Sequence, residues 1–302
     1  MTPAATVLIS TKNRKDELAT AIASALTQTV SVEVLVIDDG STDGTAEMVR
    51  ERFPAVRLVR HDQSAGYIVR RNQGTELAAA PVVVSIDDDA AFPSPHTVEQ
   101  TLAEFDHPRI GAVAIPFVDV KHGPGVRQQA SAAESLVTAS YIGTAHAVRR
   151  DLFTLLGGYR TVLFHQGEEG DFCVRQMAAG FVVRLGNADP IHHFESPKRD
   201  FSRWDVYGRR NDVLFGWHNA PATALPVHLA GTVVNGLWHG VRVRRPVNMV
   251  RGLIRGFAAL AGPAWRGRRP VSPVVYRLFR ELKTGGPQPL EAVLGRLPPV
   301  VA

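Results

Sequence analysis

The sequence predicts an α/β protein, a mostly parallel sheet flanked by helices, followed by a basic, helical C-terminal extension. Three observations carry this. Short β-branched apolar runs alternate with segments of helical period through the first ~90 residues, the pattern of a parallel sheet with crossover helices. Three of those runs stop at polar clusters: Ser10-Thr11, Asp38-Asp39 and Asp87-Asp88-Asp89. From about residue 200 the chain turns helical and proline-punctuated, and between Val241 and Lys283 it holds eleven Lys/Arg against one acid, Glu281.

"ATVLIS" (5–10) reads as a short buried strand, and "DELATAIASALTQT" (16–29) as a helix with Leu18, Ile22, Ala25 and Leu26 on one face. "VEVLVIDDGSTDGT" (32–45) is a strand running into an acidic Gly/Ser/Thr turn, and Asp43 or Thr45 can cap the next helix, "TAEMVRERF" (45–53). The strand "VRLVRH" (56–61), a helix in the later part of 66–80 and the strand "VVVSI" (82–86) follow. Parallel strands would place the three polar clusters on one rim, where ligands of open α/β sheets gather. Further on, "TVEQTLAEF" (97–105) predicts a helix, "IGAVAIPFVDVK" (110–121) one long strand, and 146–159 a strand and a helix with a glycine end. A helix over 170–181 stopped by Gly180 and a strand at 182–186 complete this part. The last ~17 residues are expected to be loosely ordered.

At 302 residues, 45% of them hydrophobic, the chain can bury a sizeable core. One cysteine, Cys173, excludes an intramolecular disulfide and suits a reducing compartment. No basic segment followed by an apolar one opens the chain, so no signal peptide is expected. The most apolar stretch, residues 222–240, carries Pro226, His228, Asn235 and His239 and makes a poor membrane span. The expected location is cytoplasmic, either free or in peripheral contact with the inner face of the cell membrane.

Three adjacent aspartates repel one another, since free Asp has a pKa of about 3.9. A divalent cation would relieve that repulsion, and Mg²⁺ or Mn²⁺ prefers oxygen ligands shared with substrate phosphates. Side chains at i and i+2 of an extended segment point the same way, so Asp87 and Asp89 could face one ion while Asp88 faces elsewhere. A solvated turn is the plain alternative. Glu168, Glu169 and Asp171 precede or open a helix; they serve either its dipole or as a general base facing the metal site. His192 or His193 could add an imidazole, or simply pack. No Cys pair or HExxH motif points to zinc.

Together these motifs resemble the family 2 glycosyltransferases, which have the GT-A fold. The blocks are "VLISTKNRKDELATAIASALTQT", "VEVLVIDDGSTDGTAEMV", "SAGYIVRRNQGTELAAAPVVVSIDDDA", "GGYRTVLFHQGEEGDFCVRQMAAGFVV" and "YGRRNDVLF", in order from residue 5 to 215. The resemblance implies a catalytic domain over 1–215, with the nucleotide-sugar part over about 1–95 and the acceptor part over about 96–215, then a helical extension over 216–302. It implies inverting transfer of a sugar from a nucleotide diphosphate sugar to a hydroxyl on a saccharide or lipid-linked acceptor, in cell-surface glycan or glycolipid synthesis. Ser10, Thr11, Asn13, Asp38, Asp39, Arg71, Asp88, Arg210 and Asn211 are the implied substrate-binding residues. Asp87, Asp89 and His193 are the implied ligands of Mg²⁺ or Mn²⁺. Glu169 aligns with the family's base, but the expected Glu-Asp pair is Glu-Glu here, which leaves the base among Glu169, Glu168 and Asp171.

In "RRPVNMVRGLIRGFAALAG" (244–262), Val250, Leu253, Ile254 and Phe257 recur at helical spacing with Arg251 and Arg255 on another face. Such a helix either lies on an anionic membrane or packs on the catalytic domain. Nucleic acid is not expected as a partner: no recognisable module or aromatic interleaving accompanies the charge. Two other functions compete. A sugar nucleotidylyltransferase would open with a Gly-rich loop where this chain has "LISTKNR" (8–14). A non-catalytic, membrane-associated nucleotide-sugar-binding module would have lost the acids that are present here at Asp87, Asp89 and Glu169.

Overall fold

The structure, a computed structural model, describes residues 2–131, 134–195 and 200–301. The N-terminal half alternates as expected: β1 (Ala5–Thr11), α1 (Lys15–Leu26), β2 (Val32–Asp38), α2 (Thr45–Arg52), β3 (Arg57–Arg60), α3 (Tyr67–Leu77) and β4 (Val82–Asp87). There follow β5 (Ala90–Ala91), α4 (Thr97–Ala103), β6 (Ile110–Ala114), β7 (Phe117–Asp119), β8 (Val126–Arg127), β9 (Leu136–Thr138), β10 (Ala145–Arg149) and α5 (Arg150–Leu155). The rest comprises α6 (Glu168–Ala178), β11 (Val182–Leu185), β12 (Ile191–His193), α7 (Phe201–Asn219), α8 (Leu225–Arg242), α9 (Pro246–Leu260), α10 (Pro273–Gly285), β13 (Gln288–Pro289) and α11 (Leu290–Leu294).

The main sheet has the order β13-β9-β11-β6-β10-β4-β1-β2-β3. Strands β3, β2, β1 and β4 are parallel, while β10 runs against its neighbours β4 and β6. Strands β1 and β4 are apolar almost throughout because both faces of a parallel sheet are covered. Helix α1 buries Leu18, Ile22 and Ala25 on the sheet side; Leu26, its last residue, stays exposed. The N-terminus of α2 is Gly44 in the left-handed conformation, and the neighbouring Asp43 carboxylate accepts from the Thr45 amide.

Two expectations are corrected, and one question left open is answered in part. The long strand over 110–121 breaks at Pro116, which has no N–H to give a ladder. Its halves enter different sheets: β6 joins the main one, and β7 joins a small sheet of order β5-β12-β7-β8. The C-terminal residues are tied down rather than loose. β13 pairs with β9, Leu290 and Val293 are buried, and Arg109 donates to the Pro298 carbonyl at 2.8 Å. The apolar stripe of 244–262, open between packing and membrane contact, divides on α9: Leu253 packs and the other three residues do not. That helix buries Met249, Gly252, Leu253 and Gly256, leaving Val250, Ile254 and Phe257 exposed. Glycine decides this, since a Cβ at Gly252 would stand 2.6 Å from the Val206 carbonyl of α7. The two helix backbones approach at Gly252 and Gly256, between the buried Met249 and Leu253 side chains.

Candidate active site

The three polar strand ends do share one rim. Ser10 lies opposite Asp87 and Thr11 opposite Asp38 in the parallel ladders. At this rim Asp87, Asp88 and Asp89 take different partners. Asp87 accepts from Arg71 and is the most exposed of the three. Asp88 turns inward, accepting from Thr11 Oγ1 at 2.8 Å and from Arg14 at 2.9 Å, and burial pushes it up to about 7. Asp89 is also buried, which alone would raise its pKa. The His193 hydrogen bond and the Arg14 guanidinium, 2.8 Å away, outweigh that and hold it down at about 2.

The small sheet brings in the imidazole. β12 pairs His193 with Ala90, directly after the aspartates, and with Asp119 on β7. His193 Nε2 is 3.4 Å from Asp89 and 4.0 Å from Asp87. Donor atoms of Asp87, Asp89 and His193 all lie within 4.8 Å of one another. Two carboxylates and one imidazole, one of the carboxylates partly open, fit a divalent cation such as Mn²⁺ that accepts oxygen and nitrogen donors. His192, the next residue back, packs edge-on to Phe194 instead. Asp119 was not singled out in the sequence. Its Oδ2 lies 4.0 Å from His193 Nδ1, where a small shift would orient the ring as carboxylate partners of metal-binding histidines do.

On the nucleotide side, Asn13 takes a left-handed conformation that asparagine tolerates, and its side chain accepts from the Thr42 amide at 2.7 Å. The loops after β1 and β2 are thereby tied together. Asp39 accepts from Ser64, Ala65, Gly66 and Arg70, so both its oxygens shape the loop before α3. Asp38 accepts from the Ser41 amide through one oxygen only; the other has no hydrogen-bond partner among the described residues.

The second acidic group stands across Arg71, a buried side chain on α3. Its Nη2 donates to Asp87 and to the Gly143 carbonyl, and its Nη1 is 3.6 Å from Glu168. One guanidinium thus joins the cation donor set to the acids opening α6. Burial raises both Glu168 and Glu169, and Glu169's charge raises Glu168 further, against the pull of Arg71. Glu169 is the one that lines a cavity of about 540 Å³ between α6, α7, α8 and α10, with Tyr141, Arg209, His228 and Arg280 among its walls. Asp171 is fully buried and committed elsewhere, to Arg160, Arg175 and Asn219.

Arg210 and Asn211 hold the segment that leads into α6. Asn211 donates to the carbonyls of Leu163, His165 and Gln166, and Arg210 to that of Val162. Gly143, not singled out in the sequence, lies against both Glu169 and Arg71. A Cβ there would stand 2.5 Å from Glu169 Oε1 and 2.7 Å from Arg71 Nη1. Its carbonyl is held from the other side by His146 Nδ1 at 3.1 Å; Tyr159 bonds the other ring nitrogen, and Tyr141 bonds Tyr159. The buried His146 stays neutral, pushed down to about 3 by burial and by Arg71.

The fold is that of the GT-A sugar transferases. The chain superimposes on a mannosyltransferase from Pyrobaculum calidifontis in complex with GDP-Man and Mn²⁺ with a TM-score of 0.58, at 22% identity over 88% of this chain and 78% of the other. It superimposes on residues 1–349 of S. aureus TarS in complex with UDP with a TM-score of 0.62, at 17% identity over 92% of this chain and 86% of the other. In sequence, residues 6–171 match the glycosyl transferase family 2, and the chain belongs to that family. It is 37% identical over 102 residues to an uncharacterized glycosyltransferase, YibD, of Escherichia coli, covering 32% of this chain and 29% of that protein. It is 25% identical over 249 residues to the pre-mycofactocin glycosyltransferase of Mycobacterium tuberculosis, covering 75% of this chain and 50% of that protein. The chain therefore spans half or less of the length of these curated relatives.

Proposed function

We propose that the protein is an inverting, metal-dependent glycosyltransferase that moves a sugar from a nucleotide diphosphate sugar to a hydroxyl of a saccharide or lipid-linked acceptor, in cell-surface glycan or glycolipid synthesis. The observation that carries this reading is Arg71, which sets the Asp87-Asp89-His193 donor set and the Glu168-Glu169 pair on either side of one buried charge. Donor diphosphate at the first and acceptor hydroxyl at the second would meet at the sugar's anomeric carbon.

Asp87, Asp89 and His193 would hold Mg²⁺ or Mn²⁺, the imidazole favouring Mn²⁺. A bound cation supplies Lewis-acid stabilisation of the charge that develops on a diphosphate leaving group. Glu169 is the base of this reading. It faces the cavity, and its raised pKa suits proton transfer from an acceptor hydroxyl near neutral pH. Inversion takes one displacement and needs no protein nucleophile. Cys173 is buried with its thiol pushed up, so it offers none. A nucleotide-activated donor fits a cytoplasmic site of action.

Calorimetric titration with UDP, GDP and dTDP, with and without Mn²⁺, tests the reading. One nucleotide should bind in a metal-dependent way, and Asp89→Ala should abolish it. A folded protein that binds none of the three would overturn the proposal and favour a non-catalytic module.

A further inference from the structure

The candidate site accounts for the rim of the sheet but not for the outer face of α8 and α9. On α8, Val227, Val234, Trp238 and Val241 recur at helical spacing and are 64–76% exposed. On α9, Val247, Val250, Ile254 and Phe257 do the same at 40–63%. The opposite faces are the packed ones. Gly236 of α8 abuts Arg209 of α7, and Gly252 and Gly256 of α9 abut Val206 and Val213 of α7. Both stripes therefore point away from α7, side by side on one hairpin. An apolar patch of this extent marks an interaction surface.

Its charge identifies the occupant. From Val213 to Arg280 the sequence has no Asp or Glu. Arg242 and Arg244 are exposed at the turn between the helices, and Arg251 and Arg255 are exposed along α9. The last two also line a cavity of about 420 Å³ with Arg203 and a single acid, Asp200. A second copy of the chain would set this basic face against an equally basic one. Among the described residues no helix is long and apolar enough to cross a membrane. Amphipathic helices bordered by arginines lie instead in the plane of an anionic bilayer, with apolar residues at the acyl boundary and cations among the phosphates.

We propose that the α8–α9 hairpin docks the protein on the surface of an anionic lipid bilayer. Val227 also belongs to the wall of the Glu169 cavity. Docking would bring that cavity to the lipid surface, where a lipid-linked acceptor could enter it. This last step rests on the proposed activity; the docking itself does not.

Co-sedimentation of the full chain with vesicles tests the docking. Vesicles of mixed phosphatidylglycerol and phosphatidylcholine should retain the protein, pure phosphatidylcholine should not, and added salt should weaken the retention. The exposed pair Trp238→Ser/Ile254→Ser should lower partition about tenfold or more, and Arg251→Gln/Arg255→Gln about fivefold per charge. Circular dichroism and metal-dependent nucleotide binding should be unchanged in both variants. Equal retention by both vesicle types, or retention by neither, overturns the proposal. So does a stable dimer in solution that the Trp238→Ser/Ile254→Ser variant dissociates, which would assign the face to a second copy.

Discussion

Asp89 and Glu169 are both carboxylates near an arginine at the rim of one sheet, yet burial has opposite outcomes for them. At Asp89, burial is overcome by two close partners, His193 and Arg14, and the group is held near 2. At Glu169, burial wins over the single guanidinium of Arg71, which is shared with Asp87 and Glu168, and the group is raised. The first environment keeps a permanent negative charge, which suits a cation ligand. The second keeps affinity for a proton, which suits a base. Acid–base roles in an active site are assigned in this way, by environments that push like groups apart.

The largest break in that contrast should come from Asp89→Ala. It removes one of three donors and leaves His193 and Arg14 without their shared anion. We expect metal-dependent nucleotide binding to vanish in calorimetry and kcat/KM to fall about 10⁴-fold. Glu169→Gln should act on the other half alone. Nucleotide and metal affinity should stay as they were while kcat falls about 10³-fold in a donor-turnover assay. Loss of donor binding in Glu169→Gln would show that the two regions are not separable in function.

The donor half was the more legible of the two in the sequence. Its strands are β-branched runs that end abruptly at charges, so hydropathy alone places Asp87 and Asp89 at a sheet rim. Arg14 was passed over beside Ser10, Thr11 and Asn13, because a single basic residue in "TKNRKD" looks like any solvated loop cation. The small sheet was invisible. Strands of two or three residues have no measurable period, so the placing of Asp119 beside His193 could not be read, although Pro116 itself signals a break in the long apolar run. The acceptor half depends on absences of side chain. Gly143 acts through the space it leaves, and α9 packs through Gly252 and Gly256; hydropathy patterns register neither.

Gly143→Ala sharpens the contrast at intermediate cost. The new methyl would press on the ends of the Glu169 and Arg71 side chains. Such ends can swing aside without unfolding the protein, but a carboxylate displaced by about 1 Å loses roughly 10²-fold in rate. We expect a melting temperature close to that of the parent and a kcat reduced about 10²-fold. A large loss of stability instead would show that Gly143 serves packing alone.

The smallest effect is expected at Glu168, and it decides which member of the pair takes the proton. Glu168 is fully buried and lies beside Arg71, and both burial and the Glu169 charge raise it. The two acids titrate as a pair; burial raises both and the Glu169 charge raises Glu168 further, so we expect Glu168 to be the member that holds a shared proton near neutral pH. Gln is the isostere of that protonated acid. Glu168→Gln should therefore keep kcat at pH 7 within about threefold of the parent. The sign of the pH dependence follows. The base works only when ionised, so its raised pKa puts the acidic limb of the rate profile above the ordinary Glu range. That limb reports Glu169 ionising beside a neutral neighbour, and it should not move when the neighbour is Gln. Only the step at higher pH, where Glu168 itself ionises, should disappear. Should Glu168→Gln instead lose activity about 10³-fold while Glu169→Gln is nearly silent, the roles exchange and Glu168 is the base.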